Sequence, residues 1–376
     1  MAQKQIQSIC SFTQATHDFL TELARDLLRI GFQSEVTRTR GKVNFKCTPN
    51  RTGKITKAGM KRLATHERIQ NQTFIERMSD LWSHSILQDA STFAIEHVKP
   101  TIVICSSRSQ HDLFRYCRLS QNVASGPRVG RRICALVYDA GHESSPLMGA
   151  FCLASPIFSI GCRDNYFDWK GTEASERKQI GLLRMMDLAV CVAIPPYNGL
   201  RGGKLIATLA ASREIANHFR HSYNDDLLAV ITTCCSGVHC PIFNRINLVP
   251  GGLFRRIGET SGYTTSHFSD ASYEAARRLV GEHSVDWAKI RLLRTAMTTC
   301  KLPADAFLKV GELKGVYVGT TDPKTIVALR AGKSQSRRKL FSIAEITTYW
   351  RESLLKNVDI QPTLTTYSHR RQQIRI

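Results

Sequence analysis

The stretch LAVCVAIPPYNGLRGG, Leu188 to Gly203, runs directly into KLIATLAASREIANHFR, and together they leave the chain few ways to fold. The residues from Leu188 to Ile194 are rich in Ala, Val and Ile and are stopped by Pro195 and Pro196, which predicts a buried strand with a hard end. Asn198, Gly199, Gly202 and Gly203 then predict a loop. Leu205, Leu209, Ala216 and Phe219 recur at helical spacing, with Lys204 in the first turn. The unit reads as strand, glycine loop, helix.

Such a unit makes a chemical proposal. The opening turn of a helix carries unpaired backbone N–H groups and the positive end of the dipole, so a phosphate is stabilised there. Arg201 and Lys204 add side-chain charge, and the glycines let a ligand approach the backbone. The spacing is neither GxxxxGK[ST] nor GxGxxG, which disfavours nucleoside triphosphates and dinucleotides. An ordinary strand-to-helix turn with glycines that serve only geometry is the alternative. Tyr197, beside the loop, either stacks on a base or packs.

A length of 376 residues suits two or three domains. Lys and Arg number 52 against 31 Asp and Glu, and the net charge of +21 attracts polyanions in a salt-sensitive way. Nucleic acid is the first expected partner, with solubility as the plain alternative reading of the charge. Twelve cysteines are scattered, several in apolar runs (Cys105, Cys134, Cys152, Cys191), and no signal-peptide pattern opens the chain. Reduced thiols in a cytoplasmic protein are expected, and no apolar run is long enough to predict a membrane span. Cys234, Cys235, His239 and Cys240 cluster, but without a second ligand pair elsewhere they predict buried strand-end cysteines rather than a metal site. No Asp/Glu cluster suits two metals, which argues against a nuclease. His218, His221 and His239 show no triad spacing.

Three segments follow from pattern. Residues 1–98 predict a basic helical domain: Leu20, Leu23, Leu27 and Ile30 form an amphipathic helix closed by Gly31, a basic passage runs from Thr37 to Lys61, and a second helical stretch reaches His84. Residues 99–265 alternate strands and helices. Thr101 to Cys105, Ile133 to Tyr138 and Leu147 to Ala154 predict strands, the last two an antiparallel pair, and Leu227 to Thr233 another. Residues 266–376 predict a basic helical extension containing the run Arg330 to Leu340. The fold class is therefore α+β, a mixed, largely antiparallel sheet with packed helices, flanked by helical extensions.

Three blocks carry a likeness to a known family. HDLFRYCRLSQNVASGPRVGRRICALVYD (His111 to Asp139), LMGAFCLASP (Leu147 to Pro156) with Asp168 and Trp169, and RRIGETSGYT (Arg255 to Thr264) resemble, in order, the DruA family of the Druantia anti-phage system. The resemblance implies a protein of bacterial defence islands or mobile elements that acts with other defence proteins, such as a helicase. The order strand, glycine loop, helix, strand also resembles the core of GNAT-type acyltransferases, in which a loop of the type Q/R-x-x-G-x-G/A holds the pyrophosphate of acyl-coenzyme A. Arg201-Gly202-Gly203 is a loose rendering of that loop. This second resemblance implies an acyl-CoA-dependent transferase, with Tyr197, Asn198, Arg201, Gly202, Gly203 and Lys204 binding the cofactor. Asp168 is then the candidate base, with Trp169, Arg245 and Glu259 near the substrate. Each has a structural alternative: Asp168 capping a helix beside a core Trp169, and Glu259 or Arg245 in an internal ion pair. A non-catalytic nucleic-acid-binding adaptor is the rival reading of the whole chain.

Overall fold

A computed structural model of the chain describes residues 5–86, 93–121, 130–234, 239–333 and 338–370. Cys235, part of the His111 to Asp139 block and the middle of the Arg330 to Leu340 run lie outside the described residues. The first elements are β1 (Ile6–Ser11), α1 (Gln14–Arg29), β2 (Gln33–Thr39), β3 (Lys42–Thr48), α2 (Lys57–Gln70) and α3 (Gln72–Ser85). Then come β4 (Pro100–Ile104), α4 (Arg108–Leu119), β5 (Arg132–Asp139), β6 (Leu147–Ala154), α5 (Gly161–Tyr166), α6 (Ser175–Leu183) and β7 (Met185–Ala193). Next are α7 (Gly202–Leu209), α8 (Arg213–Tyr223), β8 (Ala229–Thr233), β9 (Phe254–Glu259), α9 (Asp270–Val280) and α10 (Lys289–Thr299). The chain continues with α11 (Asp305–Leu308), β10 (Gly315–Gly319), α12 (Lys324–Arg330), α13 (Ile343–Tyr349) and α14 (Ile360–Arg370).

Two compact units result, and both are discontinuous in sequence. The first takes residues 1–70 and 261–313, the second 71–121, 127–260 and 314–376. The first unit holds a three-stranded antiparallel sheet in the order β1-β3-β2. The passage read as merely basic, Thr37 to Lys61, is mostly a hairpin and the start of α2. Val43, Phe45 and Cys47 alternate inward while Lys42 and Lys46 face out, so period-two burial overrides the charge. Helix α1 buries Phe19, Leu20, Leu23 and Leu27, and Gly31, at φ +90°, closes it as expected. Its buried Asp26 accepts from Ser269 N at 2.8 Å and Ser272 Oγ at 2.6 Å, fastening α9 to α1.

The second unit is built on a seven-stranded sheet in the order β4-β5-β6-β7-β8-β10-β9. Every junction is antiparallel except β7 with β8. Strand β6 is buried at every position because both faces are covered. Ile133, Ala135 and Val137 turn to the side of α7, α8 and α13, whereas Cys134 and Leu136 turn to the side of α3 and α4. The predicted single helix after the glycine loop is two helices. Ser212 breaks it by capping α8, its Oγ accepting from Ile215 N at 3.4 Å. Asn71 stands between α2 and α3 without a side-chain cap.

The parallel junction is short. Only Met185, Met186 and Asp187 pair with Ala229, Val230 and Ile231; beyond them the ladder stops and Thr232 Oγ1 donates to Leu188 O at 3.0 Å. Beyond this side-chain tie at Leu188 the β7 ladder continues with β6 only, so the two parallel strands part toward the carboxyl end of β7. The glycine loop begins there.

Candidate functional site

The loop closes upon itself. Asn198 N donates to Ile194 O at 3.0 Å, Gly199 N to Pro196 O at 3.1 Å, and Leu200 N and Gly202 N both to Tyr197 O, at 3.0 and 2.9 Å. Most of the amides expected to form an open anion cradle are therefore used within the turn. Two remain: among the described residues, the amides of Arg201 and Gly203 donate to no protein acceptor. Arg201 adopts a left-handed conformation, φ +56°, immediately before α7.

Beneath the loop lies a buried polar cluster that pattern reading missed. Tyr197 is fully buried, and its Oη donates to Asp139 Oδ2 at 2.8 Å. The same carboxylate, at the end of β5, meets His142 Nδ1 at 2.8 Å and accepts from Lys99 N at 2.7 Å and Gly141 N at 3.0 Å. Phe93 stacks on the His142 ring, centroids 5.3 Å apart. Trp350 Nε1 donates to Leu200 O at 2.9 Å and holds the loop from another side. Tyr197 thus positions the loop instead of presenting a face to a ligand. The signal available in sequence was an Asp ending an apolar strand, where only a buried partner would keep it from water.

The glycines differ in role. A Cβ on Gly202 would lie 2.4 Å from Tyr197 O, a backbone atom that cannot yield, whereas one on Gly203 would meet only Ile242 side-chain atoms from 3.5 Å outward. Gly202→Ala is expected to destabilise the protein by about 2 kcal/mol or more, and Gly203→Ala to be neutral within about 0.5 kcal/mol, in urea unfolding. Equal effects would show that the turn does not require its close approach.

Three cations gather at the start of α7. Lys204 Nζ donates to the Asn244 carbonyl. Burial holds its ammonium below the ordinary lysine value, Arg201 and Arg245 lower it further, and the Cys240 thiolate pulls the other way. Among the described residues none of the three has an acidic partner. Arg201 and Arg245 are exposed, so two free amides and a half-buried ammonium are flanked by two exposed guanidinium groups. An anion is the species that relieves such crowding. Asn198 is exposed at the rim.

The remaining candidates stand elsewhere. Trp169 is core: it stacks on Phe167 with centroids 4.7 Å apart, donates Nε1 to Leu329 O at 3.2 Å, and clusters with Met185 at the start of β7. Asp168, at φ +55°, exposes 69% of its side chain and pairs with Arg330 at 3.3 Å. The length of β7, on the order of 25 Å, separates this pair from the loop at its other end, so Asp168 is not placed to serve as a base there. Glu259 ion-pairs with Arg256 on the edge strand β9. The structure therefore brings Arg245 to the glycine loop and leaves Asp168, Trp169 and Glu259 out. Among the described residues no group of His, Cys, Asp and Glu is arranged to hold a metal, and no helix is long and apolar enough to cross a membrane.

Residues 54–296 match the family described as Druantia protein DruA. Druantia protein DruA of Escherichia coli (strain UMEA 4076-1) is 28% identical over 275 residues, covering 67% of this chain and 65% of that protein. The likeness thus spans just under two thirds of the relative's length. No solved structure matches. With the family match extending over more than half of its length, in both units, the chain belongs to the Druantia protein DruA family.

Proposed function

We propose that this protein is a component of a Druantia anti-phage defence system and that its second unit binds a diphosphate-bearing acyl carrier, acyl-coenzyme A, at the start of α7. The observation that carries the reading is the parting of β7 from β8 with an unpaired cationic cluster and two free amides at its mouth. A diphosphate answers the charge of Arg201, Lys204 and Arg245. The β7–β8 ladder ends at Asp187, and beyond Leu188 O, which Thr232 Oγ1 occupies, and Cys191 O, which Gln121 Nε2 occupies, the β7 backbone has room beside it for an extended pantetheine arm. Acyl transfer to an amine then needs a proton acceptor near the thioester. Asp168 does not fill that role for the distance given above.

The test is calorimetric titration of the whole protein with acetyl-coenzyme A at low salt. Binding should weaken by about tenfold or more in Arg201→Glu and in Arg245→Glu, both exposed and free of the packing constraint on Gly202. Wild-type protein that does not bind acetyl-coenzyme A overturns the reading. A second reading, a nucleic-acid-binding adaptor, is favoured by the net charge of +21, and it places DNA or RNA and a helicase among the partners. Affinity for DNA or RNA that falls steeply with salt, together with no uptake of acetyl-coenzyme A, would favour the adaptor.

A further inference from the structure

The first unit carries an exposed cationic helix face that the acyl-carrier reading does not use. Between Glu35 and Glu67 the chain holds nine Lys and Arg and no Asp or Glu. Three of the nine, Lys57, Lys61 and Arg62, stand on α2, and all three are exposed. Thr56 Oγ1 caps this helix by accepting from Gly59 N at 3.1 Å, and Gly59, Leu63 and Ala64 turn inward. A Cβ on Gly59 would lie 3.3 Å from Ile30 O, so α2 is seated close against the end of α1, and Arg62 Nε donates to Arg29 O at 2.9 Å. Opposite the buried side, Ala58, Lys61, Arg62, Thr65 and Ile69 follow one another at steps of one, three or four and share one outward face. An open hollow of about 420 Å³ runs along it, with His66 on its wall. Among the described residues Lys57, Lys61 and Arg62 have no acidic partner.

We propose that this face of α2 docks in the major groove of duplex DNA. Lys57 and Lys61 reach phosphates along one flank of the helix and Arg62 along the other, while the short side chains of Ala58 and Thr65 lie on the line that comes nearest the bases. Unpaired exposed cations call for a polyanion, and the small residues between them select a duplex. A helix about 10–12 Å across enters a major groove about 12 Å wide, and close seating requires short side chains on the contact line. The steps from 58 to 61, 62 and 65 are those of the base-facing positions on a helix laid in that groove. Duplex RNA has a major groove too deep and narrow to admit a helix. Single strands are held on exposed aromatic rings, and the outward face of α2 has none. A partner protein's helix would need apolar anchors at the same four positions, which here are Ala, Lys, Arg and Thr. This docking surface presupposes the nucleic-acid-binding reading given above and involves no residue of the second unit.

The test titrates the intact chain into a short, fluorescently labelled DNA duplex of mixed sequence and follows anisotropy at several salt concentrations. Unlabelled duplex DNA, duplex RNA of the same sequence, single-stranded DNA and poly-glutamate serve as competitors. Lys61→Ala should weaken duplex binding by about five- to tenfold and flatten the slope of log K against log salt by about one, as one phosphate contact is lost. Ala58→Leu removes no charge but adds bulk on the contact line, and should weaken binding by about tenfold. Lys170→Ala, the same loss of charge at an exposed position of the second unit, should change binding by less than about twofold. All three positions are exposed, and thermal melting by circular dichroism checks that each variant is folded. Duplex binding that Lys61→Ala and Ala58→Leu leave unchanged, or that Lys170→Ala weakens equally, would overturn the α2 surface and leave the nucleic-acid reading standing. A wild type that binds no nucleic acid would overturn both. Duplex RNA, single-stranded DNA or poly-glutamate competing as well as unlabelled duplex DNA would overturn the assignment to the DNA groove.

Discussion

Asp139→Ala is expected to cost about 3–5 kcal/mol of unfolding free energy, measured by urea or guanidinium denaturation. The carboxylate is fully buried and receives four groups: the amides of Lys99 and Gly141, the imidazole of His142 and the hydroxyl of Tyr197. Removing one acceptor leaves several donors buried without a partner, and each such group costs on the order of 1–3 kcal/mol. Tyr197→Phe, which removes a single bond, should cost only about 1 kcal/mol. The double variant should be less damaging than the sum, because both lose the same hydrogen bond. A loss below about 1 kcal/mol in Asp139→Ala would show that the cluster does not hold the loop. If the site at α7 binds an anion, the same variant should weaken that binding without touching the ligand, since Tyr197 is the strut under Gly202.

The second large effect is acid sensitivity of the first unit. His267 is 1% exposed, and burial lowers it to about 3, against a smaller opposing influence of the Phe307 backbone. The folded state therefore holds the ring neutral where the unfolded chain binds a proton below about pH 6.5. Stability from this group is complete above that value and is lost as pH falls toward 3, at about 1.4 kcal/mol per pH unit. Between pH 7 and 5 the loss amounts to about 2 kcal/mol. His66, also lowered mainly by burial, adds in the same direction. Asp26 has the opposite sign: burial raises its carboxyl despite Ser272, Ser269 and Arg29, so protonation favours the fold and offsets part of the loss at the acid end. The pH dependence of unfolding should flatten by about one proton in His267→Leu. A wild-type His267 ring that titrates near 6.5 by NMR would sink the account.

The local elements were largely legible because their signals are local. The apolar run before Pro195, the step of three and four from Leu20 to Ile30, and the pairing of Leu147 to Ala154 with Ile133 to Tyr138 all appear where periodicity places them. The β2–β3 hairpin was overlooked because charge on Arg38, Lys42 and Lys46 drew attention from the alternation of Val43, Phe45 and Cys47. Candidate site residues fared unevenly for a different reason. Arg201, Lys204 and the glycines are contiguous, whereas Arg245 and Cys240 reach them only through a turn about forty residues downstream that packs on α7. Asp168 and Trp169 sit close to β7 in sequence yet at its far end in space.

By itself the amino-acid sequence determined the strand, its proline stop, the glycine-bearing entry to a helix and the excess of positive charge, since each is a property of neighbouring residues or of their sum. Tertiary structure alone decided which amides stay free, that Tyr197 faces Asp139, and that Arg245 comes beside Lys204. Hydrogen bonds and charges act over a few ångströms through space, and residues far apart along the chain come within that range only when the sheet is assembled.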